Sequence, residues 1–190
     1  MAYRPTDIDR WAALSAAHPQ ATVASAVTFI LGLLALAGWA AGLGRRGATP
    51  AARFGGATIA TGALLNAVGC VAPLVLVSHV LPGCDSGACA PVARALLGVT
   101  LSLDALFNLL LGIGLLALSP QLWRRGERAV AILGITAGLA SIPVAGQPFS
   151  EASAKLLGLA GPLWLAFVLW TSFRMWRGAP DRGPPDGARP

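Results

Sequence analysis

Charge is what this chain has least of. Of its 190 residues 12% are charged and 55% are hydrophobic, where a soluble domain carries roughly 25% charged residues. That scarcity excludes an ordinary soluble domain. Histidine is limited to two residues and cysteine to three, which leaves no spaced ligand motif of the zinc-finger or ribbon kind. The usual catalytic signatures are missing as well. There is no Gly-rich phosphate loop followed by Lys-Ser/Thr, no His-Glu-x-x-His and no Gly-x-Ser-x-Gly. Nor does any ten-residue alternating pattern suggest a β-barrel.

What the chain has instead is long apolar runs. Five are read as spans: about 21–43, 54–81, 92–118, 129–145 and 154–173. Most approach or exceed the ~20 residues that cross a hydrocarbon core as a helix. Helices are the expected form, because an unpaired backbone cannot be left in lipid. The fourth run is the shortest and is expected to tilt little or to be partly interfacial. The first run is too long for a signal-peptide core and is followed by GLGRRG rather than a small-residue cleavage site, so it is expected to remain as a spanning helix.

The net charge of +6 does not point to nucleic acid. The arginines form no stripe with interleaved aromatics but cluster at the ends of apolar runs. Arg45, Arg46 and Arg53 follow the first run, Arg124, Arg125 and Arg128 the third, and Arg174, Arg177, Arg182 and Arg189 the fifth. Arg4, Arg10, Arg94 and Lys155 fall on the other face. Since Lys and Arg are retained on the cytoplasmic side, the N-terminus is expected outside and the C-terminus in the cytoplasm. Trp39, Trp123, Trp170 and Trp176 all fall near the basic end and read as an interfacial belt, with Trp164 deeper.

The expected architecture is therefore all-α, an integral membrane bundle of five transmembrane helices in a bacterial-type inner (plasma) membrane. Residues 1–20 form an outer segment in which PTDIDRWAALSAAHP can make a short interfacial helix, 21–176 the spanning domain, and the Pro/Gly-rich 177–190 a disordered cytoplasmic tail. LGLLALAGWAAGLGRRG and LGIGLLALSPQLWRRG echo each other, as two parallel hairpin repeats would. Gly38/Gly42 and Gly134/Gly138 are small-x-x-x-small pairs that allow close helix approach. Pro73, Pro143 and Pro162 are expected to bend their helices.

Two places carry unusual chemistry. In the third run Thr100, Asp104, Asn108 and Gly112 are spaced by four and share one helix face. Counted from Val92, Asp104 is about 18 Å into the span, near the midplane. An acid there must face the bundle, be partnered or be protonated. Asn66 in the second run, flanked by Gly62 and Cys70, lies at similar depth from the opposite end, so antiparallel packing brings it to Asp104. Asp104, Asn108, Asn66 and Thr100 are the candidate binding or proton-relay residues, and interhelical glue is the competing role. The second place is SHVLPGCDSGACAP, where Cys84 and Cys89 fall on the outer face and are expected to form a disulfide, leaving Cys70 a free buried thiol.

The leading functional expectation is a non-enzymatic small transport, ligand-binding or accessory membrane subunit. A membrane thiol–disulfide oxidoreductase using Cys84 and Cys89 is the alternative, and a purely structural scaffold is a third. His18 and His79 are the weak candidates for a metal ligand set. No cofactor is expected. The expected partners are the bilayer and other membrane subunits or further copies of the chain, not nucleic acid.

Overall fold

Proline and arginine punctuate the helices. The computed structural model describes residues 5–83, 89–148 and 150–177. Helix α1 covers Pro5–Ala17, and after His18 the chain re-enters helix as α2, Pro19–Arg45. Pro50 opens α3, Pro50–Gly69, where its missing N–H removes no bond. Thr49 caps that end, its hydroxyl accepting from Ala52 N at 3.2 Å. A short α4, Val71–Val75, a π-helical turn Leu76–Val80 and a 3₁₀ turn Leu81–Gly83 carry the chain on. Helix α5 is Ala90–Arg124, α6 Arg128–Val144 and α7 Glu151–Trp176, the last capped by Ser150.

Among the described residues every regular element is helical. Four stretches are long and apolar enough to cross a membrane: Pro19–Arg45, Pro50–Gly83, Ala90–Arg124 and Lys155–Trp176. The fifth expected span, α6, is apolar but has only 17 residues. Neighbouring helices in the chain pack antiparallel in the order α2, α3, α5, α6, α7. The sheet of helices curls, because Trp39 of α2 meets Phe167 of α7 edge-on with ring centroids 6.2 Å apart. Phe167, Ile59, Leu111 and Leu115 are completely or almost completely buried between the layers. The flanking helices are the least covered. Only 22% of the apolar window of α2 and 17% of that of α7 is buried, against 39% in α5.

Glycine sets the central contact. A Cβ at Gly55 would come within 2.6 Å of Gly114 O, and one at Gly114 would strike Gly55 O and Ile59 Cγ1. Backbone touches backbone there, as it does between α5 and α6 at Gly112 and Gly138. Gly134 lies against Ser119 and Phe167, so the Gly134/Gly138 pair is a packing face. Gly38 meets nothing within 4 Å and Gly42 only the end of Met175. That pair is not a helix-packing face, because α2 turns Gly44 toward Gly56 of α3 instead.

Regular helix is interrupted around Pro73, with α3 ending at Gly69, α4 starting at Val71 and a π-helical turn following at Leu76, and the break has a visible repair. Proline cannot donate to the carbonyl four residues back, which is Gly69. The hydroxyl of Thr100 on α5 donates to Gly69 O at 3.0 Å. At the arginine end, Arg125 Nη2 donates to Arg46 O at 3.2 Å. The two hairpins with similar sequences thus meet through equivalent arginines of their RRG turns. Trp123, Trp170 and Trp176 expose their rings at this end, while Trp39 turns inward onto Phe167.

At the opposite end α5 overshoots. Its 35 residues make a rod of about 52 Å, well beyond the ~30 Å of a hydrocarbon core. The excess packs with Leu76 and Leu81 beyond α3 and with Trp11 and Ala12 of α1, around buried Ala93 and Leu97. This small second core is the docking place of α1. Of the expected tail, 177–190, all but Arg177 lies outside the described residues.

Candidate functional site

The α3–α5 contact runs in one antiparallel register. Gly55 faces Gly114, Gly62 faces Leu110 and Phe107, and Gly69 faces Leu103 and Thr100. Within that ladder Asn66 must meet Asp104. Its Nδ2 donates to Asp104 Oδ1 at 3.0 Å. One turn along α5, Asn108 Nδ2 donates to the Asp104 carbonyl at 2.9 Å and to Oδ2 at 3.3 Å. Gln147 Nε2 donates to the same Oδ2. A carboxylate is an acceptor only, so amide nitrogens are the atoms that must face it.

The donors are enclosed: Asn66 is 5% exposed, Asn108 3% and Gln147 2%. Asp104 itself is half-buried. Three chain segments therefore converge on one carboxylate, namely α3, α5 and the turn between α6 and α7. Among the described residues no lysine or arginine side chain hydrogen-bonds or ion-pairs with Asp104. The centre is one acid held by neutral dipoles.

Gln147 was not among the expected site residues. It reaches Asp104 because α6 is short and its end is tightly wound. Ala145 N, Gly146 N and Gln147 N donate to Ile142 O, Pro143 O and Val144 O at 3.1, 3.0 and 2.9 Å. Ser150 N then donates to Gly146 O at 3.0 Å. A Cβ at Gly146 would come within 2.9 Å of Ser153 Oγ and 3.3 Å of Pro143 O, so the turn lies close against the start of α7. The helical rise matches the levels. Asp104 stands 20 residues before Arg124, about 30 Å along α5, and the 17 residues of α6 climb about 25 Å from the same end before the turn adds the rest.

The other expected residues divide. Asn66, Asn108 and Asp104 are brought together, whereas Thr100 stands one turn away and gives its hydrogen to Gly69 O and Leu96 O. Thr100 repairs the proline break and makes no hydrogen bond to Asp104. Cys70 is a free thiol and half-buried at the α3–α4 junction. Cys84 lies outside the described residues, and Cys89 immediately precedes α5. His18 is exposed between α1 and α2, and His79 is exposed in the π-helical turn. Among the described residues no three His, Cys, Asp or Glu side chains cluster as a metal site. The buried hydroxyls of Ser119, Ser141 and Thr171 each donate to the carbonyl four residues back at 2.7–2.8 Å, so none is held ready for chemistry.

Chemically, such a centre can exchange a proton or hold a small cation or cationic group, since either neutralises the acid and an amide can rotate to present its oxygen. Among the described residues no hydroxyl or thiol hydrogen-bonds to the carboxylate. Set against known proteins, the chain matches no family model, no curated protein and no solved structure.

Proposed function

We propose that this is a non-enzymatic integral membrane protein, a small transport, ligand-binding or accessory subunit whose working group is Asp104. The observation that carries the reading is one carboxylate receiving three buried amide side chains from three chain segments, with no lysine or arginine paired to it among the described residues. Acids within spanning helices are costly to place and serve ion or proton binding by default. The species bound is a proton or a small cation, because either supplies the charge the amides lack.

The five-span reading is supported by the arginine-bearing ends. A slab of ~30 Å begun at Arg124 finishes at the level of Asp104 and Gln147. Helix α6, at about 25 Å, is then only slightly short of a full crossing. In this placement the centre lies at the outer edge of the hydrocarbon rather than at its midplane, below the cap built by α1 and the start of α5. The basic ends of α2, α5 and α7 face the cytoplasm of a bacterial-type inner membrane, with the N-terminus outside.

The test is ligand-linked stability of the full chain in detergent. A species that binds the folded form raises its unfolding temperature in proportion to RT ln(1 + [L]/Kd). Sodium, potassium and small organic cations are titrated against wild type and Asp104→Asn, with the infrared carbonyl band of a protonated carboxyl followed in parallel. Wild type is expected to respond to one cation or to show a titrating band that Asp104→Asn lacks. Identical behaviour of the two proteins would reduce the centre to packing. The thiol–disulfide alternative remains a separate proposal that rests on Cys84 and Cys89.

A further inference from the structure

The arginine end holds a second feature that the Asp104 reading does not use. Between the α5–α6 turn and the end of α7 lies an open cleft of about 330 Å³. Arg125, Glu127, Arg128, Trp170 and Arg174 line it, together with the first backbone turn of α6. Its described lining carries three arginines and one glutamate.

The charges are arranged for an anion. Glu127 is held by Arg174, with Nη2–Oε1 3.2 Å apart, and does not cap α6, whose N-terminus has no side-chain cap. Arg128, Ala129 and Val130, the first turn of this 17-residue helix, line the cleft, and the dipole of a helix start favours negative charge. Arg128 is steadied over the Trp123 ring at 5.9 Å. Arg125 is anchored through Arg46 O. Ile132, one turn along α6 from Arg128, is exposed, so a headgroup in the cleft would have an apolar side chain beside it for its acyl chains.

We infer that this cleft binds the phosphate headgroup of an anionic phospholipid. The inference goes beyond the Asp104 centre, shares no residue with it, and rests only on the chain being embedded in a bilayer. Basic pockets between helices at the cytoplasmic boundary are where such headgroups are held.

Native mass spectrometry of the full chain, released from detergent doped with equimolar phosphatidylglycerol and phosphatidylcholine, reads the retained lipid directly. Phosphatidylglycerol is expected to be retained preferentially. Arg128→Gln and Arg174→Gln are each expected to lower its retention about fivefold, the equivalent of ~1 kcal/mol per arginine near a membrane surface. Glu127→Gln is expected to raise retention, a gain that misfolding cannot mimic. Arg10→Gln, in α1 at the other end, should change nothing. Equal retention of the two lipids, or an equal loss with Arg10→Gln, would overturn the assignment. Displacement of phosphatidylglycerol by millimolar inorganic phosphate alone would also overturn it and assign the cleft to a soluble phosphate. Loss of the Asp104-dependent cation response with lipid retention intact would condemn the first reading and leave this one standing.

Discussion

Replacing Asp104 separates its two possible contributions. Asp104→Leu removes the acceptor of Asn66 Nδ2 and Gln147 Nε2, while Asn108 keeps the Asp104 backbone carbonyl at 2.9 Å. Two enclosed donors are thereby orphaned. At ~1–3 kcal/mol for each unsatisfied buried group, the loss in stability is expected to be about 2–4 kcal/mol after the gain from leucine burial. Hydrogen bonds within membrane bundles average only ~0.6 kcal/mol, which puts the floor near 1 kcal/mol. Asp104→Asn keeps shape and polarity but presents one donor and one acceptor, so one partner amide must rotate, and the cost is expected to stay below ~1 kcal/mol. Reversible unfolding in mixed detergent micelles measures both. The decisive step is a double-mutant cycle with Gln147→Leu, whose cost should nearly vanish in the Asp104→Leu background. Strict additivity of the two would show that Gln147 and Asp104 are not partners and would refute the account of the centre.

Three further outcomes follow from the packing and the topology. Gly114→Ala is expected to destabilise the bundle by ~2 kcal/mol or more through overpacking against Gly55 O and Ile59, whereas Gly38→Ala, with nothing within 4 Å, should be neutral or slightly stabilising in the same unfolding assay. Alkylation of the folded protein followed by mass analysis should modify none of the three cysteines rapidly before reduction, and Cys84 and Cys89 together after it. Rapid modification of both before reduction would contradict the bridge. Reporter fusions after Gly47 and Pro190 should report the cytoplasm, and one after Gly87 the outer side; a cytoplasmic signal at Gly87 would invert the topology.

Much of the bundle was legible in the sequence, because the physics that writes it is local. Long apolar runs give helices, arginine clusters mark their ends, and prolines mark starts and bends. The meeting of Asn66 and Asp104 was legible too, since two antiparallel helices counted from opposite ends bring equal depths together. Spacing alone failed for Gly38 and Gly42, because a small-residue pair does not say whether its face is turned to a neighbour. Trp39 was misread for the same reason: its position along α2 suits an interfacial belt, but its azimuth turns it onto Phe167. The role of Thr100 has a readable signal in the sequence. Pro73 frees the carbonyl of Gly69, and the α3–α5 register that brings Asn66 to Asp104 also brings Thr100 to that carbonyl.

The part played by Gln147 is not legible in the run lengths alone. Counting from Val92 assumes that the apolar run and the hydrocarbon begin at the same residue. Helix α5 is longer than any bilayer requires, and its excess lies at the α1 end, so in the proposed placement the count starts from the arginines. Counted that way, Asp104 rises about 30 Å and the end of α6 about 25 Å. The connection after α6 then has only the remaining ~5 Å to climb to the level of the carboxylate. A glutamine two residues beyond Ala145 looks like a solvated loop residue only while the two helices are taken to be equally long. Their inequality is what carries Gln147 into the bundle, and it is written in the distance from each helix end to the nearest arginine.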